Sequence, residues 1–218
     1  MDQSIYVQLA FADPVTALKS ALRFLHFIGL ALGLGAATLL DLMLLRFFLT
    51  RSITRELMSV FRFATRVVNI GLIILWITGI AFMVHYAIFD PIKLTNGKIW
   101  AKLSIVAVLT LNGVFIHAFL LPRLDARIGR PLFAGMSRGE RLTMQFSGAV
   151  SVTSWYVPAM LGAFPQLNFA VPATTILITY MLLLAAAVIA MHAAIAIAQA
   201  SQRPRAIRRS YPPGLHFT

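Results

Sequence analysis

Five long apolar runs, each near the ~20 residues that a membrane-spanning helix requires, constrain the fold of this chain most strongly. They lie at about residues 22–45, 67–88, 99–121, 142–164 and 172–198. Charged residues make up 12% of the chain, against about 25% in soluble domains. The fourth run is the least apolar and is the weakest predicted span. The sequence predicts an all-α integral membrane helical bundle, with residues 1–218 forming a single transmembrane domain.

The distribution of basic residues predicts the orientation of this bundle. The first and third connections and the C-terminal tail are rich in arginine, whereas the second connection holds only Lys93 and Lys98 and the fourth holds no charge. Basic segments stay on the cytoplasmic side. We therefore expect five spans with a short N-terminal tail outside and a basic C-terminal tail inside. Two prolines set predicted boundaries, because the third span should stop at Pro122 and the fifth should begin near Pro172.

Composition excludes several classes of function. The net charge of +12 follows from topology, so we expect the lipid bilayer as the partner and no nucleic acid. The chain contains no cysteine, which excludes iron–sulfur clusters, disulfides and thiolate metal sites. The sequence shows no cleavable signal peptide, nucleophile elbow, phosphate loop or metalloprotease helix, so hydrolytic and phosphoryl chemistry are not expected.

Four of the five histidines lie on four different apolar runs and are predicted to form two layers. His26 and His85 should lie about one turn inside the outer face, and His117 and His192 about one turn inside the inner face. Layers at these depths would be ~20 Å apart in a ~30 Å hydrocarbon core. Neutral imidazole is a haem ligand, so the pattern allows one or two haems b held by pairs of these histidines. The alternative is that single histidines near span ends meet lipid headgroups or water.

Other small or polar residues on the first and third spans are candidate site residues. Gly29 and Gly33 lie on nearly the same face as His26 and would admit either a porphyrin or a neighbouring helix, and the second alternative is favoured. Asp41 is expected to pair with Arg62 or Arg66, or to join a proton path with Asn112. Lys102 could reach the surface, or meet an anionic substrate or a haem propionate. Asn112 needs a hydrogen-bond partner across the bundle.

Two further stripes are predicted on the second and fourth spans. Trp76, Gly79 and Met83 share a face that could line a ligand pocket, although packing is the commoner use of such a stripe. The serines at positions 147, 151 and 154 lead to Pro158 at helical spacing, which indicates an inward face or a small wet cavity.

Two segments carry a resemblance to known families. Residues 23–47, RFLHFIGLALGLGAATLLDLMLLRF, and residues 98–124, KIWAKLSIVAVLTLNGVFIHAFLLPRL, resemble helices of bacterial membrane proteins of the copper-resistance protein D type and of the HemJ-type protoporphyrinogen oxidases. The resemblance implies a bacterial inner-membrane protein with His26 as an axial ligand of haem b, and with Lys102 matching a lysine important in the HemJ type. The aromatic–proline run that follows this histidine in the HemJ type is absent, so neither family's specific activity is carried over.

Three hypotheses remain open at this point. The first is a cytochrome-b-like protein that binds haem b and transfers electrons, with a quinone or a protein as redox partner. The second is a small-solute or metal transport protein with a polar path along His26, Asp41, Lys102 and Asn112. The third is an accessory subunit, bound to other membrane subunits or to further copies of itself, whose polar residues only lock the bundle. Whether the protein is an enzyme is open, and an enzyme of this kind would be a membrane oxidoreductase.

Overall fold

The chain folds into five long helices, as a computed structural model shows. The structure describes residues 13–49, 54–129 and 135–209, and side-chain environments are described outside 45–49 and 198–209. The helices are α1 (Pro14–Leu49), α2 (Arg55–Phe89), α3 (Gly97–Asp125), α4 (Arg138–Ala163) and α5 (Ala173–Arg209). Short 3₁₀ turns, Pro91–Thr95 and Pro165–Leu167, lie in the second and fourth connections. No strand occurs in the described ranges, so the predicted all-α membrane bundle is confirmed.

Within the described residues, four helices are long and apolar enough to cross a bilayer, namely α1, α2, α3 and α5. The remaining helix, α4, was predicted as the weakest span, and it lies between three other helices. It packs against α1, α3 and α5. Its buried residues include Gln145, Ser147, Thr153 and Ser154, polar groups that neighbouring helices shield from lipid. A helix in this position needs less apolar surface than one that faces acyl chains.

The helices extend beyond the predicted spans, and α3 corrects one boundary. The prediction that the third span stops at Pro122 is wrong, because the helix continues to Asp125. A π-helical turn, Ile116–Leu120, precedes the proline, and the Leu121 N–H donates to the Ile116 carbonyl. Proline cannot donate an N–H, and this wider turn places it in the first turn of the following α-helical segment, where that N–H is not needed. The fifth helix begins at Ala173, one residue after the predicted Pro172.

Three glycines allow α1 and α2 to pack at close range. A Cβ on Gly71 would collide with the backbone of Gly33 and would lie 2.8 Å from the Gly29 carbonyl oxygen. A Cβ on Gly29 would lie 2.8 Å from Ile74 Cγ2, and one on Gly33 would overlap the Trp155 ring. Glycine at these positions therefore permits two contacts, α1 with α2 and α1 with α4.

Four helices form a ring in the order α2, α1, α4, α3, and α5 packs outside it on α3 and α4. Helices α1 and α2 make the most extensive contact, and α1–α4 and α3–α4 are also packed. We call the end of the bundle that holds Pro14 and Phe89 the outer end, after the orientation that the charges predict, and the opposite end the inner end. That orientation stays a prediction.

Side-chain caps fix where several helices begin. Thr54 Oγ1 accepts the Leu57 N–H at the start of α2. At α4, Ser137 Oγ accepts the Glu140 N–H and the Glu140 carboxylate accepts the Ser137 N–H, which completes a capping box. The caps satisfy backbone donors that the first helical turn leaves unpaired.

Candidate functional site

A cavity of about 540 Å³ lies within the ring, in its outer half. Its walls come from α1, α2, α3, α4 and the two outer connections. This volume is in the range of small-molecule and cofactor sites, roughly 300–1,000 Å³. The predicted stripe of Trp76, Gly79 and Met83 lines it, and Ser154 and Pro158 of the α4 stripe line it too. The cavity is therefore the main candidate for a ligand site.

Aromatic side chains give this cavity large apolar walls. Six of them line it: Phe27, Trp76, Phe82, Tyr86, Trp155 and Phe169. The Trp76 indole N–H donates to Thr110 Oγ1 at 2.9 Å, and the Trp155 ring is 3% exposed. Rings fixed in this way exclude water and offer flat faces to a planar or extended apolar ligand.

The polar lining of the cavity is cationic. Arg23, His26, Lys93, Lys98 and Lys102 line it, and none of the described lining residues is an aspartate or a glutamate. Lys93, in the outer connection, is paired with Asp90, and that hydrogen bond raises the pKa of the Lys93 ammonium. Without a carboxylate among them, the cations favour a ligand with an acidic group.

The two lysines of α3 play different parts. Lys98 is 5% exposed, and its ammonium donates to the Phe164 carbonyl at 2.7 Å, which ties the start of α3 to the α4–α5 connection. The Lys102 Nζ points towards α4 and would lie 3.6 Å from a Cβ placed on Gly162. Lys102 has no hydrogen bond or ion pair to any described side chain or carbonyl. Of the two lysines, Lys102 is therefore the one whose ammonium group is available to a ligand.

His26 is held by a hydrogen bond that fixes its tautomer. Its Nδ1 lies 2.7 Å from Thr78 Oγ1, and the Thr78 hydroxyl donates to the Ile74 carbonyl at 2.7 Å. With the Thr78 hydroxyl donating to Ile74, its oxygen is left to accept from His26, which assigns the ring proton to Nδ1. The Nε2 of the neutral ring then keeps its lone pair, and no described group bonds to it. A histidine oriented through one nitrogen and free at the other is the usual arrangement of a metal ligand.

The other three histidines lie outside the cavity. His117 Nε2 accepts a hydrogen bond from Asn69 Nδ2 at 2.8 Å, and His192 Nδ1 bonds to Gln145 Oε1 at 3.1 Å. His85 is 7% exposed and packs against aromatic rings, and its Nδ1 has no hydrogen-bond partner among the described residues. His117 and His192 thus take part in two different helix contacts, whereas His85 packs against rings of its own helix.

The histidine pairs that the sequence suggested do not converge. His26 lies level with Thr78 on α2, and His85 is seven residues further along that helix, which is about 10 Å at 1.5 Å per residue. His117 and His192 both lie in the inner half, but one faces Asn69 of α2 and the other Gln145 of α4. No group of three or more metal-ligating side chains of the His, Cys, Asp and Glu types occurs in the described part of the chain. Among the four histidines, only His26 faces the cavity.

The remaining candidate residues take part in packing. Gly29 and Gly33 lie at helix contacts and do not line the cavity. The expectation that Asp41 pairs with Arg62 is wrong, because Arg62 pairs with Asp125 at 3.7 Å, and Arg66 makes no ion pair with Asp41 either. Neither Asp41 nor Asn112 lines the cavity. Of the four residues named for a transport path, His26 and Lys102 therefore meet at the cavity, whereas Asp41 and Asn112 lie away from it.

Asn112 finds the cross-bundle partner that its mid-span position requires. Its Nδ2 donates to the Ser147 carbonyl at 3.0 Å, and the Ser147 hydroxyl donates to Asn112 Oδ1 at 2.8 Å. Ser154 is hydrogen-bonded to the Tyr180 hydroxyl at 2.9 Å. These bonds join α4 to α3 and to α5, which explains the inward stripe of serines.

Several residues of the site carry no signal that sequence reasoning could detect. In the sequence, Thr78 is one threonine within an apolar run. Its contact with His26 arises from the packing of α1 on α2. Arg23 and Lys93 look like interfacial cations, and Trp155 like a core residue. Their common location depends on which helices are neighbours. In comparisons with known proteins, no family model, no curated protein and no solved structure matches the chain.

Proposed function

We propose that this membrane protein binds one haem b in the outer cavity and takes part in electron transfer, with His26 Nε2 as an axial ligand. The observation that carries the proposal is the geometry of His26, which Thr78 orients and which leaves Nε2 free at a cavity with cationic and aromatic walls. The family resemblance of the first and third spans points to the same residues, His26 and Lys102.

The residues present fit this group. His26 would hold the iron, and its Nδ1–H bond to Thr78 would keep the ring in the ligating tautomer and raise the electron density on Nε2. Arg23 and Lys102 would meet the propionate carboxylates. Trp76 and Trp155 would shield the ring from water, and Met83 is a second side chain on the wall with a metal-binding atom. When bound, haem supplies one-electron redox chemistry.

One haem is better supported than two. A second haem between His117 and His192 would need both imidazoles to face one space, and each is bonded to a different helix. A haem shared by His26 and His85 would need the two rings at one level, and they lie about 10 Å apart along the helix axis. The redox partner proposed here is a quinone or a second protein, and a membrane oxidoreductase is the corresponding enzyme class.

The proposal is tested by reduced-minus-oxidised absorption spectra of detergent-purified protein expressed with haem available. We expect a b-type α-band at about one haem per chain in the wild type and in His192→Ala, and none in His26→Ala. Thr78→Val should keep the haem but shift its midpoint potential, because the ring loses its hydrogen-bond partner. Circular dichroism would show that each variant is folded. A flat spectrum from folded, monodisperse wild type, or an unchanged band in His26→Ala, would overturn the proposal.

A further inference from the structure

The ring around the cavity is closed on three sides and open on the fourth. The contacts α2–α1, α1–α4 and α4–α3 are packed, whereas the backbones of α2 and α3 make only sparse close approaches. These two helices are nonetheless neighbours, since long side chains connect them across a gap. The cavity is thus separated from the surrounding lipid on this side by side chains and not by packed helices.

Two hydrogen bonds close the inner part of this gap. Trp76 Nε1 donates to Thr110 Oγ1 at 2.9 Å, and Asn69 Nδ2 donates to His117 Nε2 at 2.8 Å. Between Trp76 and the end of α2 at Phe89 no described hydrogen bond joins α2 to α3. That interval of 13 residues corresponds to about 20 Å along the helix. The cavity-lining faces of α2 and α3 are joined by no described hydrogen bond over this interval, and we call the space between them, from Trp76 to the outer end, the α2–α3 slot.

The walls of the α2–α3 slot are apolar and leave room. On α2 it is lined by Gly79 and Met83, and on α3 by Leu103 and Val106, all of which also line the cavity. A Cβ on Gly79 would meet no atom within 4 Å. Ile80 and Val84, beside these residues on α2, are 55% and 54% exposed. The slot therefore lies next to side chains that would contact lipid.

We propose that the α2–α3 slot is a lateral entrance, through which a membrane-dissolved molecule with an apolar body and a carboxylate head enters the cavity from the outer leaflet. The apolar walls let the body remain out of water throughout the passage. The cations behind the slot attract the head, and Arg23 and Lys102 are the two that have no hydrogen bond or ion pair to a described residue. Haem, with its two propionates, and a long-chain fatty acid share this chemistry. The inference concerns the same cavity as the proposed haem site but does not rest on haem being the occupant.

The absence of cysteine permits a reversible plug as the test. Gly79→Cys, modified with a bulky methanethiosulfonate after folding, would fill the slot, and a thiol reductant, dialysed away afterwards, would empty it again. Gly35→Cys is the matched control, because Gly35 lies on α1 away from the cavity and its Cβ would also meet no atom within 4 Å. Both variants would carry Trp100→Phe, so that only Trp76 and Trp155, which line the cavity, report.

The measurement is the rate at which a nitroxide-labelled fatty acid quenches these tryptophans in phosphatidylcholine nanodiscs, with the corresponding fatty alcohol as reference. A second arm follows haem transfer from vesicles by its Soret band. We expect plugged Gly79→Cys to load the acid roughly tenfold more slowly, or worse, which is about 1.4 kcal/mol of added barrier. Removal of the plug should restore the rate, and plugged Gly35→Cys should load like the unmodified protein. Lys102→Gln should remove the preference for the acid over the alcohol.

The outcomes separate this inference from the haem proposal. Plug-sensitive loading of the fatty acid with no haem uptake supports the lateral entrance and contradicts haem as occupant. Plug-sensitive uptake of haem alone supports the entrance and identifies haem as the source of the carboxylates. Equal rates with and without the plug, equal slowing in Gly35→Cys, or entry of neither probe would overturn the inference.

Discussion

The close approach of α1 and α2 predicts opposite effects for one substitution at two glycines of the same helix. Gly71→Ala would place a Cβ 2.7 Å from the Gly33 Cα and 2.8 Å from the Gly29 carbonyl oxygen, whereas Gly79→Ala meets nothing within 4 Å. Non-bonded carbons prefer about 3.5–4.0 Å, so α1 must move away by roughly 1 Å in the first variant only.

The magnitude follows from two terms. Overpacking of this kind costs about 1–3 kcal/mol, and alanine gains about 0.5–1 kcal/mol over glycine within a helix. Gly71→Ala should therefore lower the free energy of unfolding by up to about 2.5 kcal/mol, and Gly79→Ala should raise it by about 0.5–1 kcal/mol. The helix propensity term is common to both variants, so their difference, about 1–3 kcal/mol, measures the α1–α2 contact.

The assay is reversible unfolding in mixed detergent micelles, followed by far-ultraviolet circular dichroism. The His26–Thr78 hydrogen bond spans the same contact, so Gly71→Ala should also weaken any ligand bound through His26, and Gly79→Ala should not. The reasoning would be refuted if the unfolding free energies of the two variants agreed within about 0.5 kcal/mol. A difference of that size is no larger than the scatter between mutations at independent sites.

Three further predictions use the same unfolding assay. A double-mutant cycle of Asn112→Ala and Ser147→Ala should give a coupling of about 0.6–1.7 kcal/mol, as for other hydrogen bonds between membrane helices, and additive effects would contradict the paired bonds. Ser137→Ala should cost about 1 kcal/mol through loss of the α4 cap. The hydrogen bond from the Ser137 N–H holds the pKa of the Glu140 carboxyl below its ordinary 4.5. The stabilisation from this hydrogen bond is therefore present above pH 4.5 and is lost as the pH falls through the lower pKa of the folded state. Glu140→Gln should abolish this pH dependence. Arg62→Gln should change stability by less than ~1 kcal/mol, because its ion pair is half exposed and 3.7 Å long, and a larger loss would show that the pair has a structural role.

Some features could be predicted because they depend on local sequence. The apolar runs are long enough to require membrane helices, since a lipid environment leaves backbone groups no other partner. The polarity of the fourth run marked α4 as different, and the structure places this helix between α1, α3 and α5. Asn112 required a partner for the same reason that any mid-span amide does, although the sequence does not identify Ser147.

Local sequence also failed at definite places. Pro122 breaks an ordinary α-helix, but a π-helical turn before it removes the conflict, and such a turn has no signature in the sequence. Counting residues along each span predicted the depth of every histidine in the membrane, but not the direction in which its side chain points. Depth follows from counting residues along a span, whereas direction depends on how each helix is rotated against its neighbours.

The sequence by itself determined that the chain is a membrane bundle, where its helices lie and which residues are too polar to face lipid. Only the tertiary structure decided that His26 faces a cationic cavity while the other three histidines do not, and that α2 and α3 leave a slot between them. The physical reason is that hydrophobicity and hydrogen bonding along one helix act over a few residues. The order of helices in a bundle is set by contacts such as Gly33 with Gly71 and Trp155, between residues far apart in the chain.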